Sequence, residues 1–233
     1  MLRLENIHAG YGSVHVLRGV DLRVPAGSAV ALLGANGAGK TTLLRTAAGV
    51  IHPTSGHVRY DGTPIEHEPY YRRAQRGLCL IPEGRGIFRD LTVRDNLAMF
   101  SGDMRTSDAV DIAVDAFPAL KPRLGQPAGQ LSGGQQQMLA VTRALLPDTK
   151  VILADELSVG LAPVIIDEIF EVVAALKASG RSLLIVEQYV DRVLEVADYV
   201  YILHKGRVVF VGEPEHCLKT EIFDQYIGAA AHS

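Results

Sequence analysis

The chain has 233 residues, 48% of them hydrophobic and 21% charged, which suits one large α/β domain or a core carrying a smaller lobe. A net charge of -3 with eight neutral histidines gives no electrostatic footprint for nucleic acid, and Cys79 and Cys217 lack metal-ligand or disulfide-framework spacing. No apolar run approaches the roughly 20 residues of a bilayer span, and the first five residues carry no secretory signal. A cytoplasmic chain is expected, with any pore supplied by another chain.

Residues 2–7 and 14–24 read as strands around the turn at 9–12. Residues 28–33 form a short apolar strand that runs into a Gly-rich loop, and 41–48 have helical composition. A β-like stretch at 57–60 precedes Asp61-Gly62, and the strand at 78–81 is stopped by Pro82. From 92 to 144 apolar positions recur three and four apart, which predicts helices. Pro118, Pro122, Pro127 and Gly133-Gly134 divide that stretch into what reads as an inserted helical lobe. Strands return at 151–154, 182–186, 199–203 and 208–211, with helices at 164–177, 189–197 and 221–228. Strands alternating with helices predict a mainly parallel sheet covered on both faces.

Three segments carry chemistry. The run Gly34-Ala-Asn36-Gly37-Ala38-Gly39-Lys40-Thr41 fits the phosphate-loop pattern in full, between a strand and a helix. Its glycines let backbone N–H groups approach phosphate oxygens, Lys40 reaches the β- and γ-phosphates, and the Thr41 hydroxyl is placed for Mg²⁺. Asp155 and Glu156 close a buried strand, where a parallel sheet puts its ligand crevice. Asp155 suits Mg²⁺ binding and Glu156 the role of general base for an attacking water, against the plainer reading of a solvated strand end. Leu131-Ser132-Gly133-Gly134-Gln135 precedes a helix. It is either a flexible linker and N-cap or a second anion-reading helix terminus, one that completes a site in a different subunit.

In this order and spacing the motifs resemble those of ATP-binding cassette (ABC) ATPases, over essentially the whole chain. The resemblance implies an α/β phosphate-loop NTPase core with an N-terminal antiparallel β subdomain and an inserted helical subdomain. Residues 1–83 and 147–233 would be the core with its β part, and 84–146 the helical part. It implies ATP and Mg²⁺ as ligands, with Asn36, Ala38 and Thr42 joining the loop residues around the nucleotide. Two cassettes would pack head to tail, so that Ser132, Gly133, Gly134 and Gln135 serve the partner's ATP. Tyr11 matches the aromatic residue that stacks on adenine; a strand-edge core aromatic is the alternative.

Several positions depart from the general family pattern. Glu83 stands where Gln is common, a residue that can still ligate Mg²⁺ or hold water. Gln188 replaces a switch His and cannot carry a proton at neutral pH. Ala162 replaces an Asp and Leu157 a Pro.

Pro82-Glu-Gly-Arg85, Gly160-Leu-Ala-Pro163 and Val186-Glu-Gln188 narrow the resemblance to LivF-type ATPase subunits of branched-chain amino-acid importers. Urea and amide importers share much of this pattern. The branch implies a second ATPase, a sister chain with a second copy of this chain as the alternative, together with integral membrane permeases, an indirectly coupled extracytoplasmic binding protein and a peripheral place on the inner membrane face. Phe88, Leu91 and Val93 lie where the family receives a permease helix, or else pack the helical lobe. A soluble, non-transport ABC ATPase would favour tandem cassettes, a long coiled-coil insertion or basic extensions, none of which is visible.

Overall fold

Two sheets close on one helix in the computed structural model, which describes residues 1–84, 86–187 and 189–219. The chain opens with the hairpin β1 (Leu2–Tyr11) and β2 (Val14–Val24), then β3 (Ala29–Leu33) and α1 (Lys40–Ala48). It returns through β4 (Ser55–Tyr60) and β5 (Thr63–Pro64) to α2 (Tyr70–Gln75) and β6 (Leu78–Ile81). Helices α3 (Val93–Phe100), α4 (Thr106–Ala116) and α5 (Gly133–Thr142) follow, with 3₁₀ turns at Pro118–Arg123 and Ala128–Gln130 between α4 and α5. The last part alternates β7 (Val151–Asp155), α6 (Pro163–Ala178), β8 (Ser182–Val186) and α7 (Val190–Val196), and ends with the hairpin β9 (Tyr199–His204) and β10 (Arg207–Gly212), then α8 (Pro214–Leu218).

The first sheet is antiparallel, in the order β2-β1-β4-β5; the second runs β10-β9-β3-β8-β7-β6, parallel except for the edge strand β10. Every residue of β3, β7 and β8 is buried, which accounts for their unbroken apolar runs. Alternation sorts them into two cores. Val30, Leu32, Val151, Leu153 and Leu184 face α1, and through Leu43, Leu44 and Ala47 join the apolar face of the first sheet. Ala29, Ala31, Ile152, Leu183 and Ile185 face the other way, in one cluster with Leu97, Phe117, Leu120 and Met138 of the helical part.

The structure corrects some expectations. β1 continues to Tyr11 past the expected end at 7, because Asn6 takes a positive φ of 48° and a register shift there hides the alternation. α2 carried no apolar periodicity; its anchor is a charge. Arg73 is fully buried and donates to the carbonyls of Thr46 (2.9 Å) and Ala47 (2.8 Å) at the end of α1, and to those of Glu66 (3.2 Å) and Glu68 (3.0 Å). Burial pushes its guanidinium down to about 10, against the raising effect of Glu68 and Glu66. Of the three residues read as either a permease contact or packing of the helical lobe, Val93 is fully buried and packs the core, whereas Phe88 and Leu91 are exposed. The expected helix at 221–228 lies outside the described residues.

Candidate active site

The loop between β3 and α1 folds as it does because three of its glycines sit at positive φ: Gly34 at 146°, Gly37 at 78° and Gly39 at 110°. At Gly34 a Cβ would stand 2.2 Å from the Leu203 carbonyl oxygen, so no other residue fits. Ala38 is buried against the α1 core. Gly39, the N-cap of α1, has no side chain to cap the helix and leaves its first N–H groups for an anion. Lys40, 7% exposed, donates from Nζ to the carbonyls of Gly34 (2.7 Å) and Ala35 (3.2 Å). Burial lowers its pKa, while the charges of Glu156 and Asp155 act in the opposite direction.

Parallel pairing of β3 with β8 and of β8 with β7 carries the acidic pair to the same sheet edge as the loop. Thr41 Oγ1 donates to Asp155 Oδ1 at 3.2 Å. Asp155 is 2% exposed, and its carboxyl is pushed up to about 6, first by burial, then by Glu156 and Glu83, with the Thr41 hydrogen bond opposing. A hydroxyl and a carboxylate this close are hard oxygen donors of the kind Mg²⁺ takes, so the residues present fit that ion. Glu156 holds a left-handed backbone, φ 53°, and its N–H donates to the Val186 carbonyl at 2.9 Å.

Thr41 and Glu156 line one open cleft of about 420 Å³, with Asp155 buried behind Thr41 rather than lining it. Asn36, Gly37, Gly39, Lys40, Thr41 and Thr42 form one side; Glu83 and Glu156 form another, and Val16 of β2 completes it. Val16 carried no sequence signal, since an apolar residue in an alternating strand reads as core. Tyr11 is 47% exposed at the end of β1, its hydroxyl accepting from Arg45 of α1 at 3.3 Å, and it does not line the cleft. Gln188 lies outside the described residues.

Ser132, Gly133, Gly134 and Gln135 do not line the cleft either. They build the N-terminus of α5 as a capping box: the Gln135 N–H donates to Ser132 Oγ at 3.3 Å, and the Ser132 N–H donates to Gln135 Oε1 at 3.2 Å. At Gly134 a Cβ would meet Ile165 of α6 at 2.9 Å, which explains a glycine inside this helix.

A family model described as ABC transporter matches residues 17–159. The chain belongs to the ABC transporter family. Among ABC proteins it is 40% identical over 232 residues to the high-affinity branched-chain amino acid transport ATP-binding protein BraG of Pseudomonas aeruginosa, covering 98% of this chain and 100% of that one. It is 37% identical over 229 residues to a probable branched-chain amino acid transport ATP-binding protein LivF of Archaeoglobus fulgidus, covering 97% of each. The solved ADP conformation of MJ1267, an ABC transporter cassette, superposes with a TM-score of 0.80 at 28% identity, over 96% of this chain and 97% of that one. Phosphate-loop residues and Glu156, just after β7, thus share one cleft in this chain, and the Leu131–Gln135 segment stands apart from it.

Proposed function

We propose that this chain is the ATP-binding and ATP-hydrolysing subunit of an ABC importer that powers uptake of branched-chain amino acids through separate permease chains. The observation that carries it is the contact between the phosphate loop and the acidic strand, Thr41 to Asp155, with Glu156 lining the same cleft. Glycine amides and Lys40 hold the β- and γ-phosphates. Thr41 and Asp155, with Glu83 nearby, hold Mg²⁺, which screens the phosphate charge when bound. Glu156 takes the proton of the attacking water, and Gln188, placed by sequence alone, donates a hydrogen bond to the γ-phosphate. Tyr11, exposed at the end of β1, stacks on adenine.

The placement of Ser132–Gln135 outside the cleft favours a shared site in which this segment serves the ATP of a second ABC ATPase subunit, a sister chain on the branch pattern. The substrate class rests on full-length similarity to BraG and LivF. Exposed Phe88 and Leu91 suit a permease contact. Phe100, 6.4 Å from Phe88 between ring centroids, lines a neighbouring groove of about 540 Å³ together with exposed Met99. No helix among the described residues is long and apolar enough to cross a membrane, which fits a peripheral subunit.

The test is phosphate release by the purified chain with ATP and Mg²⁺. Glu156→Gln should lower kcat at least about 100-fold with ATP affinity kept, as expected when a general base is removed. Unchanged turnover would sink this reading.

A further inference from the structure

The turn that carries Glu156 is strained and pinned. Glu156 sits at φ 53°, a left-handed conformation that is strained for a non-glycine residue and persists only where the surroundings hold it. The pins come from the end of β8. The Val186 carbonyl accepts the Glu156 N–H at 2.9 Å. One residue on, the Glu187 carboxylate accepts the Ser158 N–H at 3.1 Å and also the Ser158 hydroxyl. Glu187 is 3% exposed and Ser158 1%, so these charge-assisted bonds are shielded from water, and Leu157 between them is buried in the core. A buried carboxylate is costly to place, and hydrophobic packing alone would not select one here.

We propose that Glu187 is a positioning residue for hydrolysis: its carboxylate fixes the turn at 156–158 so that Glu156 faces the γ-phosphate. The inference rests on Glu156 being the base proposed above. Glu187 is buried and does not line the cleft. Its loss lets the strained turn relax, which displaces the base without altering the phosphate loop that binds ATP. The transition state then loses stabilisation while ground-state binding is kept.

Steady-state kinetics and binding of a non-hydrolysable ATP analogue test it on the full chain. Glu187→Ala should lower kcat 10–100-fold, with KM and analogue affinity within about 3-fold of wild type. Ser158→Ala, which removes only the hydroxyl, should lower kcat about 5-fold. In the Ser158→Ala/Glu187→Ala double variant the loss should match that of Glu187→Ala rather than the product of the two, because both act on one contact. If Glu187→Ala does not fold, Ser158→Ala decides alone. Wild-type kcat in folded variants, or a loss of affinity at constant kcat, would overturn the positioning role while leaving the ATPase reading intact. A wild type that binds ATP and never hydrolyses it would overturn both.

Discussion

Replacing Asp155 by Asn should stabilise the nucleotide-free protein while disabling it. Asp155 is buried beside Glu156 and Glu83, and its carboxyl is pushed up from 3.8 to about 6. The folded state therefore binds this proton more tightly than the unfolded chain does. Stability from this group is full below about pH 4 and is lost as pH rises through about 6. Raised this far, the ionised carboxylate costs the folded state about 3 kcal/mol at pH 8, falling to about 1 kcal/mol at pH 4.5.

Asn keeps the shape and can still accept from the Thr41 hydroxyl, so it removes the charge and little else. In EDTA at pH 8, Asp155→Asn should raise the thermal midpoint by about 6–12 °C, at about 2–4 °C per kcal/mol for a chain of this size. At pH 4.5 the gain should shrink about threefold. Adding Mg²⁺ and ATP should stabilise the wild type far more than the variant. Destabilisation by Asn in EDTA, or a gain that does not depend on pH, would refute the claim that this carboxylate is held at a cost for its ligand.

Two further outcomes follow from particular contacts. Arg73→Met keeps the volume but leaves the carbonyls at the end of α1 without their donor; it should cost about 3–5 kcal/mol in urea unfolding, and a loss below about 1 kcal/mol would contradict the anchoring role. Tyr11→Ala should weaken ATP binding about 5–30-fold in calorimetry, and Tyr11→Phe hardly at all, because the ring face rather than its exposed bond to Arg45 is used; equal losses from both would remove the stacking role.

Strand alternation and the spacing of glycines made much of this fold legible from residues alone. β6 and β8 fall where their apolar runs end, because burial on both faces leaves no polar interruption to misread. Periodicity failed where a polar side chain does structural work. α2 is held by Arg73, and Asn96 ties the segment after Glu83 to α3 by donating to the Phe88 and Thr92 carbonyls at 2.9 Å while accepting the Phe88 N–H at 2.7 Å. At the site, local motifs named the loop and the acidic pair. Val16 and the Glu187–Ser158 bond depend on contacts between distant segments that no motif encodes. Val93 shows the reverse failure, since position in a motif-rich stretch said nothing of whether the side chain faces out.

The central claim is that the cleft is half of a site completed by Ser132–Gln135 of another cassette. Its most direct test is the mass of Glu156→Gln by light scattering after size exclusion, with saturating ATP and Mg²⁺. A dimer that forms with ATP, and that is lost on adding Ser132→Arg while ATP binding persists, is the predicted result. A variant that stays monomeric under saturation, or a dimer indifferent to Ser132→Arg, would contradict the shared site.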